Sequence, residues 1–370
     1  MKKRYLLPII TIIVVLALVG GCYYLTMPVQ GQSEKVEFKI NDGDHARAVI
    51  KNLKKAKLIK SEYFALLYYK MNSTTKHPIS FKAGDYDLNK ADSLRDIFDT
   101  LNDSTAAIDK DSKKVTFPEG GRLTDFASKI ASSYGIEDVN SVVAQMDDPE
   151  FVQKMIDKYD IVTASVLNEN IKHPLEGYLY GDTYYLKKDA TVQEITEKLV
   201  STMNDKVLSS FNEYKYKGVN YHDILAVASI VEHEGPSKNT DNYKEELQGV
   251  AQVFLNRIAI GMTLGSDVTT YYSANKRIGS DTLTYSDFNI CDGYNTRGNC
   301  VPGIPVGPIS SASKDSIDAV VKGIMKPMDK YKDYYYFVAD KNTNIHFSKT
   351  DADQQKVIKE LRNKGLWLED

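Results

Sequence analysis

Asp223-Ile-Leu-Ala-Val-Ala-Ser-Ile-Val-Glu232-His-Glu-Gly-Pro236 is the stretch on which the fold turns. From Ile224 to Val231 every residue except Ser229 is apolar, so the run reads as a buried helix. At a period of 3.6, Leu225, Ala228 and Glu232 share one face. Asn220 can cap the start, with Asp223 three residues on, and Gly235-Pro236 ends the helix. Glu232 then sits in the last turn, at the negative end of the helix dipole. Burial and dipole both favour its neutral form, which is what a general acid requires. Glu234, two residues further, is expected to point elsewhere, into solvent.

Outward from this helix the pattern is mixed. A second amphipathic helix is expected over residues 243–260, with Leu247, Val250, Ala251, Phe254, Leu255 and Ile258 as its apolar face. Residues 262–311 are rich in Gly, Pro, Asp, Asn and Tyr and read as one long irregular segment, a length that is usually functional. Tyr334-Tyr-Tyr-Phe-Val-Ala339 reads as a strand, with Ile345-His-Phe-Ser348 as hairpin partner and a closing helix over 351–364. Upstream, strand, turn and helix signals over 36–103 describe a small α+β module. The polar stretch 104–113 is a boundary. Beyond it, Lys114-Val-Thr-Phe-Pro-Glu-Gly-Gly121 and a helix from Thr124 repeat the strand, acidic-Gly turn and helix order, so a weak internal duplication and chance both stand. An amphipathic helix is expected over 191–203. The fold class is α+β, with the larger domain over 114–370.

The chain has 370 residues, 42% hydrophobic and 26% charged, which is globular composition with room for two domains. A formal net charge of -3 offers no argument for nucleic-acid binding. Lys2-Lys3-Arg4 precedes an apolar stretch from Tyr5 to Met27, long enough to span a bilayer with its N-terminus in the cytoplasm. We therefore expect an anchor over 1–27, a linker over 28–35, and an extracytoplasmic remainder. A cleaved signal is the competing reading, since Val19-Gly-Gly-Cys22 resembles a lipoprotein cleavage site that would leave Cys22 lipidated. Apolar character continuing through Tyr23, Tyr24, Leu25 and Met27 favours the uncleaved helix. Cys291 and Cys300 bracket eight residues; outside the cytoplasm a disulfide between them is expected, against two unpaired thiols.

Other chemistries fail on their motifs. His233-Glu234 begins like a zinc-protease helix, but Ser237 stands where the second histidine belongs, and the six histidines are scattered. No metal site and no cofactor is expected. A Gly-x-Ser-x-Gly elbow, a phosphate loop and a dinucleotide fingerprint are all missing. Carboxylate chemistry is left, with Glu232 its best candidate. The irregular segment supplies Asp267, Thr269, Tyr294, Asn295 and Thr296, polar and aromatic groups suited to a hydroxyl-rich sugar, although turn chemistry alone also explains such residues.

Phe117-Pro-Glu-Gly120, Leu175-Glu-Gly-Tyr178, Asp182-Thr-Tyr-Tyr185, Ala228-Ser-Ile-Val-Glu232-His-Glu234, Val253-Phe-Leu-Asn-Arg257, Ser266-Asp-Val-Thr269, Tyr294-Asn-Thr296, Gly303-Ile-Pro-Val-Gly-Pro-Ile309 and Tyr335-Tyr-Phe-Val-Ala339 follow one another in order. In this the chain resembles the YceG-like (MltG) family of membrane-anchored endolytic murein transglycosylases of bacteria. The resemblance implies a LysM-like module at 36–103, a catalytic domain behind it, and Glu232 as single acid/base. The implied reaction cleaves the β-1,4 bond between N-acetylmuramic acid and N-acetylglucosamine, leaving 1,6-anhydro ends on nascent strands beside the synthases. His233 stands where the family commonly has Lys, and Val268 and Val306 where it has Pro; the cysteine bracket is not a general family feature. A non-catalytic wall-binding scaffold and a hydrolytic muramidase remain alternatives, Asp267 being the loop candidate for a second carboxylate.

Overall fold

The computed structural model describes residues 20–21, 23–41, 43–72, 79–102, 112–218, 220–298 and 300–367. Most of the expected anchor, including Cys22, lies outside them, as does most of the expected linker at 104–113. Among the described residues no helix is long and apolar enough to cross a membrane. The architecture is mixed α+β, with helices dominant and three two-stranded sheets. The chain forms two compact units, Met1–Lys113 and Lys114–Asp370.

In the first unit β1 (Lys35–Ile40), α1 (Ala46–Lys55), α2 (Glu62–Asn72) and β2 (Gly84–Asn89) follow in that order, then α3 (Leu94–Asn102). The strands pair antiparallel, Lys35 opposite Asn89 and Ile40 opposite Gly84. Alternation along β1 sends Phe38 and Ile40 inward, where they meet Val49, Ile50 and Leu53 of α1 and Ile97, Phe98 and Leu101 of α3. Ser93 caps α3, accepting from the amide of Asp96 at 3.2 Å while its hydroxyl donates to the Asp96 carboxylate at 2.6 Å.

β3 (Ser112–Thr116) leads into the second unit, followed by α4 (Leu123–Tyr134), α5 (Val139–Met146) and α6 (Pro149–Lys158). β4 (Thr183–Lys187) returns to pair with β3, and α7 (Val192–Glu213) follows. This helix runs a further ten residues beyond the expected end at 203, because Val207 and Phe211 extend its buried stripe. α8 (Tyr221–Glu234) carries the stretch quoted at the outset, and every residue from Ile224 to Val231 is buried. It packs against α9 (Tyr243–Ala259), α10 (Asp267–Ser273) and α11 (Lys314–Met325). The segment expected to be irregular over 262–311 thus contains a helix. Val268 and Tyr272, four residues apart on α10, bury themselves in the core.

β5 (Tyr336–Ala339) and β6 (Ile345–Ser348) form an antiparallel hairpin, and α12 (Asp351–Asn363) closes the chain. The hairpin is tied to α9 by the pair Asn256-Arg257. The Asn256 amide donates to the carbonyls of Tyr331 and Tyr334 at 2.9 Å each, and Arg257 Nε donates to that of Tyr335 at 2.6 Å. Carbonyls that lie outside the strand ladder gain a partner this way.

Candidate active site

Glu232 is half-buried in the last turn of α8. Its Oε2 accepts three hydrogen bonds: from the backbone amide of Ser313 at 2.9 Å, the Ser313 hydroxyl at 2.6 Å and the Ser316 hydroxyl at 2.6 Å. Ser313 is the N-cap of α11, so the carboxylate is seated at the positive end of a second helix. The acid expected to be buried at the negative end of its own helix is instead half-exposed and hydrogen-bonded from across the chain. The dipole of α8 is opposed by that of α11, and the three donors fix the orientation of the carboxyl group. Oε1 accepts no hydrogen bond among the described residues. One oxygen is therefore fixed and the other left for chemistry.

The strap that carries Ser313 is held along its length. Gly120 and Gly121 exchange backbone hydrogen bonds with Ser311, both at 2.9 Å. The Ile309 amide donates to the Ser229 hydroxyl at 3.1 Å, the one polar side chain in the apolar run. Gly177, at φ +80, packs so closely on Pro308 that a Cβ there would lie 2.2 Å from Pro308 Cβ. His222 Nε2 donates to the Val306 carbonyl at 2.8 Å, and Nδ1 accepts from the Tyr178 hydroxyl at 2.7 Å. The Leu175-Glu-Gly-Tyr178 and Gly303-to-Ile309 motifs are thus two faces of one contact.

Beside Glu232, across Gly120 and His233, lies a cleft of about 140 Å³ lined by Arg122, Asp125, Val268, Arg277, Ile278 and Ile309. Gly120 is the hinge of this geometry: a Cβ there would touch both Glu232 Cγ and His233 Cε1 at 3.5 Å. His233 Nε2 meets the Ser310 hydroxyl at 3.0 Å. Desolvation, outweighing the attraction of Glu232, lowers the His233 pKa. A larger hollow, about 640 Å³, is lined by α6 residues alone and shares no lining residue with this cleft.

Four of the five residues expected to hold a sugar are fully buried. Thr269 and Thr296 join hydroxyls at 2.9 Å, and Thr296 Oγ1 also accepts from the Ser266 amide at 3.0 Å. Asn295 takes the Thr270 hydroxyl at 2.8 Å and donates to the Ile290 carbonyl at 2.9 Å. Tyr294 packs on Tyr272 with ring centroids 4.8 Å apart. Their polar atoms are occupied inside the protein, so we correct their role from ligand contact to loop framework. Asp267 alone is half-exposed, paired with Arg297 at 2.7 Å. Cys291 and Cys300 are joined with Cα atoms 5.5 Å apart, closing the loop that contains Tyr294, Asn295 and Thr296. Among the described residues no group of His, Cys, Asp or Glu could hold a metal.

Glu234 is not solvated as expected. It accepts from the Ser266 hydroxyl at 2.6 Å, and burial, opposed by that hydroxyl, raises its pKa. A third carboxyl escaped the sequence reading. Glu176, 2% exposed, accepts from the Leu123 amide at 2.8 Å and the Tyr272 hydroxyl at 3.2 Å. Burial pushes it up to about 7. Ser313, Ser316 and Arg122 were missed as well. Only the serines left a signal, the helix-start spacing Ser313-x-x-Ser316.

A model of the YceG-like family matches residues 38–360. The chain belongs to the YceG-like family. This YceG-like chain is 33% identical over 347 residues to the endolytic murein transglycosylase of Bacillus subtilis, covering 92% of the chain and 90% of that relative. It is 26% identical over 355 residues to that of Streptococcus pneumoniae, of which it spans 61%. A crystal structure of a YceG-like protein from Listeria monocytogenes superposes with a TM-score of 0.57 at 31% identity, covering 88% of this chain and all of that one.

Proposed function

We propose that this chain is an endolytic peptidoglycan lytic transglycosylase with Glu232 as its single general acid/base. The observation that carries the reading is the asymmetry of that carboxyl, with Oε2 clamped by three donors and Oε1 unbonded. In its protonated form Glu232 gives the Oε1 proton to the glycosidic oxygen between N-acetylmuramic acid and N-acetylglucosamine as that bond breaks. As carboxylate it takes the proton of the C6 hydroxyl, which attacks C1 of the same muramic acid and closes the 1,6-anhydro ring. Ordinary glycosidases flank the bond with two carboxyls. Here the nucleophile is tethered to the reacting sugar, an advantage of up to ~7–11 kcal/mol, and one carboxyl suffices. A hydrolytic route is less well supported, because Asp267 is engaged by Arg297.

Lys2-Lys3-Arg4 and the apolar stretch to Met27 support a single-pass anchor with the enzyme outside the membrane, acting on nascent strands near the synthases. The strand–helix–helix–strand order of the first unit supports a LysM-like glycan grip. The test is incubation of the protein and its Glu232→Gln form with isolated peptidoglycan, the products being weighed. Loss of the acid is expected to cost roughly 10²–10⁴-fold in anhydro-end formation. Undiminished anhydro ends from Glu232→Gln would remove Glu232 from the mechanism; reducing ends from the wild type would indicate hydrolysis; no release would leave a binding scaffold.

A further inference from the structure

The cleft beside Glu232 is lined by the guanidinium of Arg122. Arg122 is half-buried at the start of α4, and its only side-chain hydrogen bond among the described residues is from Nη2 to the Lys276 carbonyl at 2.8 Å. Its guanidinium lies over the Tyr272 ring at 5.2 Å. It makes no ion pair among the described residues. A guanidinium has five donor hydrogens, and burying it without a counter-ion is costly. The neighbouring carboxylate is spent elsewhere: Asp125 Oδ1 binds Arg277 Nη1 at 2.6 Å and Oδ2 takes the Arg122 backbone amide at 2.9 Å. Of the titratable cleft wall, His233 is shifted toward its neutral form, and Asp125 is taken by the half-exposed Arg277. Arg122 is thus left without a direct ion pair among the described residues, its charge offset only at longer range by the carboxyls of Glu176 and Asp125, and it lines the cleft.

We propose that Arg122, with Arg277 at the rim, forms a subsite for a substrate carboxylate next to the acid Glu232. This rests on the peptidoglycan reading above. Muramic acid differs from glucosamine by a lactyl ether at C3, which ends in a carboxylate when the peptide is absent. When the peptide is present, its stem carries carboxylates of its own. Either source supplies the planar anion that a guanidinium binds in bidentate fashion. A cleft of about 140 Å³ has room for such a substituent but not for a pair of sugar rings. The subsite gives the enzyme a way to place a muramic acid, and not a glucosamine, on the side where C6 must attack.

The test uses the full chain, its Arg122→Met and Arg122→Lys forms, and Glu232→Gln as control. The substrates are stem-bearing glycan strands, strands stripped of stems by an amidase, and both after carbodiimide amidation of their carboxylates. We expect Arg122→Met to lose roughly 10–100-fold in kcat/KM on the strands whose carboxylate is read, with Arg122→Lys recovering part of it. On the amidated form of those strands the wild type should fall to the rate of Arg122→Met. A loss confined to stripped strands identifies the lactyl carboxylate, and a loss confined to stem-bearing strands identifies the stem. Equal losses on amidated and untreated strands would make Arg122 structural and overturn the proposal, as would wild-type rates throughout. Anhydro ends formed by Glu232→Gln at the wild-type rate would instead refute the parent reading.

Discussion

Glu176 gives the second unit a pH-dependent stability of predictable sign and size. Its carboxyl is ordinary in the unfolded chain, at 4.5, and is pushed up to about 7 in the folded protein, chiefly by burial. Below pH 4.5 both states hold the proton and nothing is lost. Between 4.5 and about 7 the folded state binds more protons than the unfolded one, so stability falls as pH rises. Above 7 the full penalty of a buried carboxylate is present. At about 1.36 kcal/mol for each tenfold change in proton affinity, the loss comes to about 3 kcal/mol. His173 works in the same direction: burial opposes its charge, but Asp147 at 2.7 Å outweighs this and raises it, so its contribution is also lost as pH rises. The Glu176→Gln variant separates the two, since its amide oxygen can still accept from Leu123. Urea unfolding followed through the single tryptophan, Trp367, which lies in this unit, should be run from pH 4.5 to 8. The wild type should lose about 3 kcal/mol relative to the variant across that range. Parallel profiles, differing by a constant within about 0.5 kcal/mol, would refute the assignment of Glu176 as a buried titrating acid.

Two further outcomes are expected. Ser316→Ala removes one donor from Glu232 Oε2 and should lower kcat roughly tenfold while leaving KM unchanged; a rise in KM alone would place Ser316 on substrate binding. Gly177→Ala forces a Cβ to 2.2 Å from Pro308 at positive φ and should cost at least about 2 kcal/mol, read as a lowered Tm, with activity falling in parallel because the strap carries Ser313.

The helix bearing Glu232 was legible because an unbroken apolar run bounded by an Asn cap and Gly-Pro has little else to become. Strands flagged by β-branched and aromatic residues, Tyr336–Ala339 among them, were legible for the same local reason. What local pattern does not hold is partnership across the chain. Ser313 meets Glu232 over a separation of 81 residues, and Glu176 meets Tyr272 over 96. Tyr294, Asn295 and Thr296 misled for a related reason: the residues that hydrogen-bond a sugar are also those that satisfy a buried irregular backbone. Only burial separates the two roles. α10 was hidden because Thr and Tyr have modest helix propensity, and its formation depends on Val268 and Tyr272 packing on α8.

The strap from Gly307 to Ser313 has a consequence for how this chain can change over generations. It is pinned by Gly177, by Ser229, by Gly120 and Gly121, and finally by Glu232 itself. Inserting or deleting one residue inside it would move every later pin out of register and take the Ser313 amide away from the acid. Lengthening the chain near the exposed Tyr285 costs only loop closure, about 0.6 kcal/mol for each doubling. Insertions are therefore tolerable around Tyr285, ahead of the disulfide-closed loop, whereas the strap itself admits substitution but not a change of length.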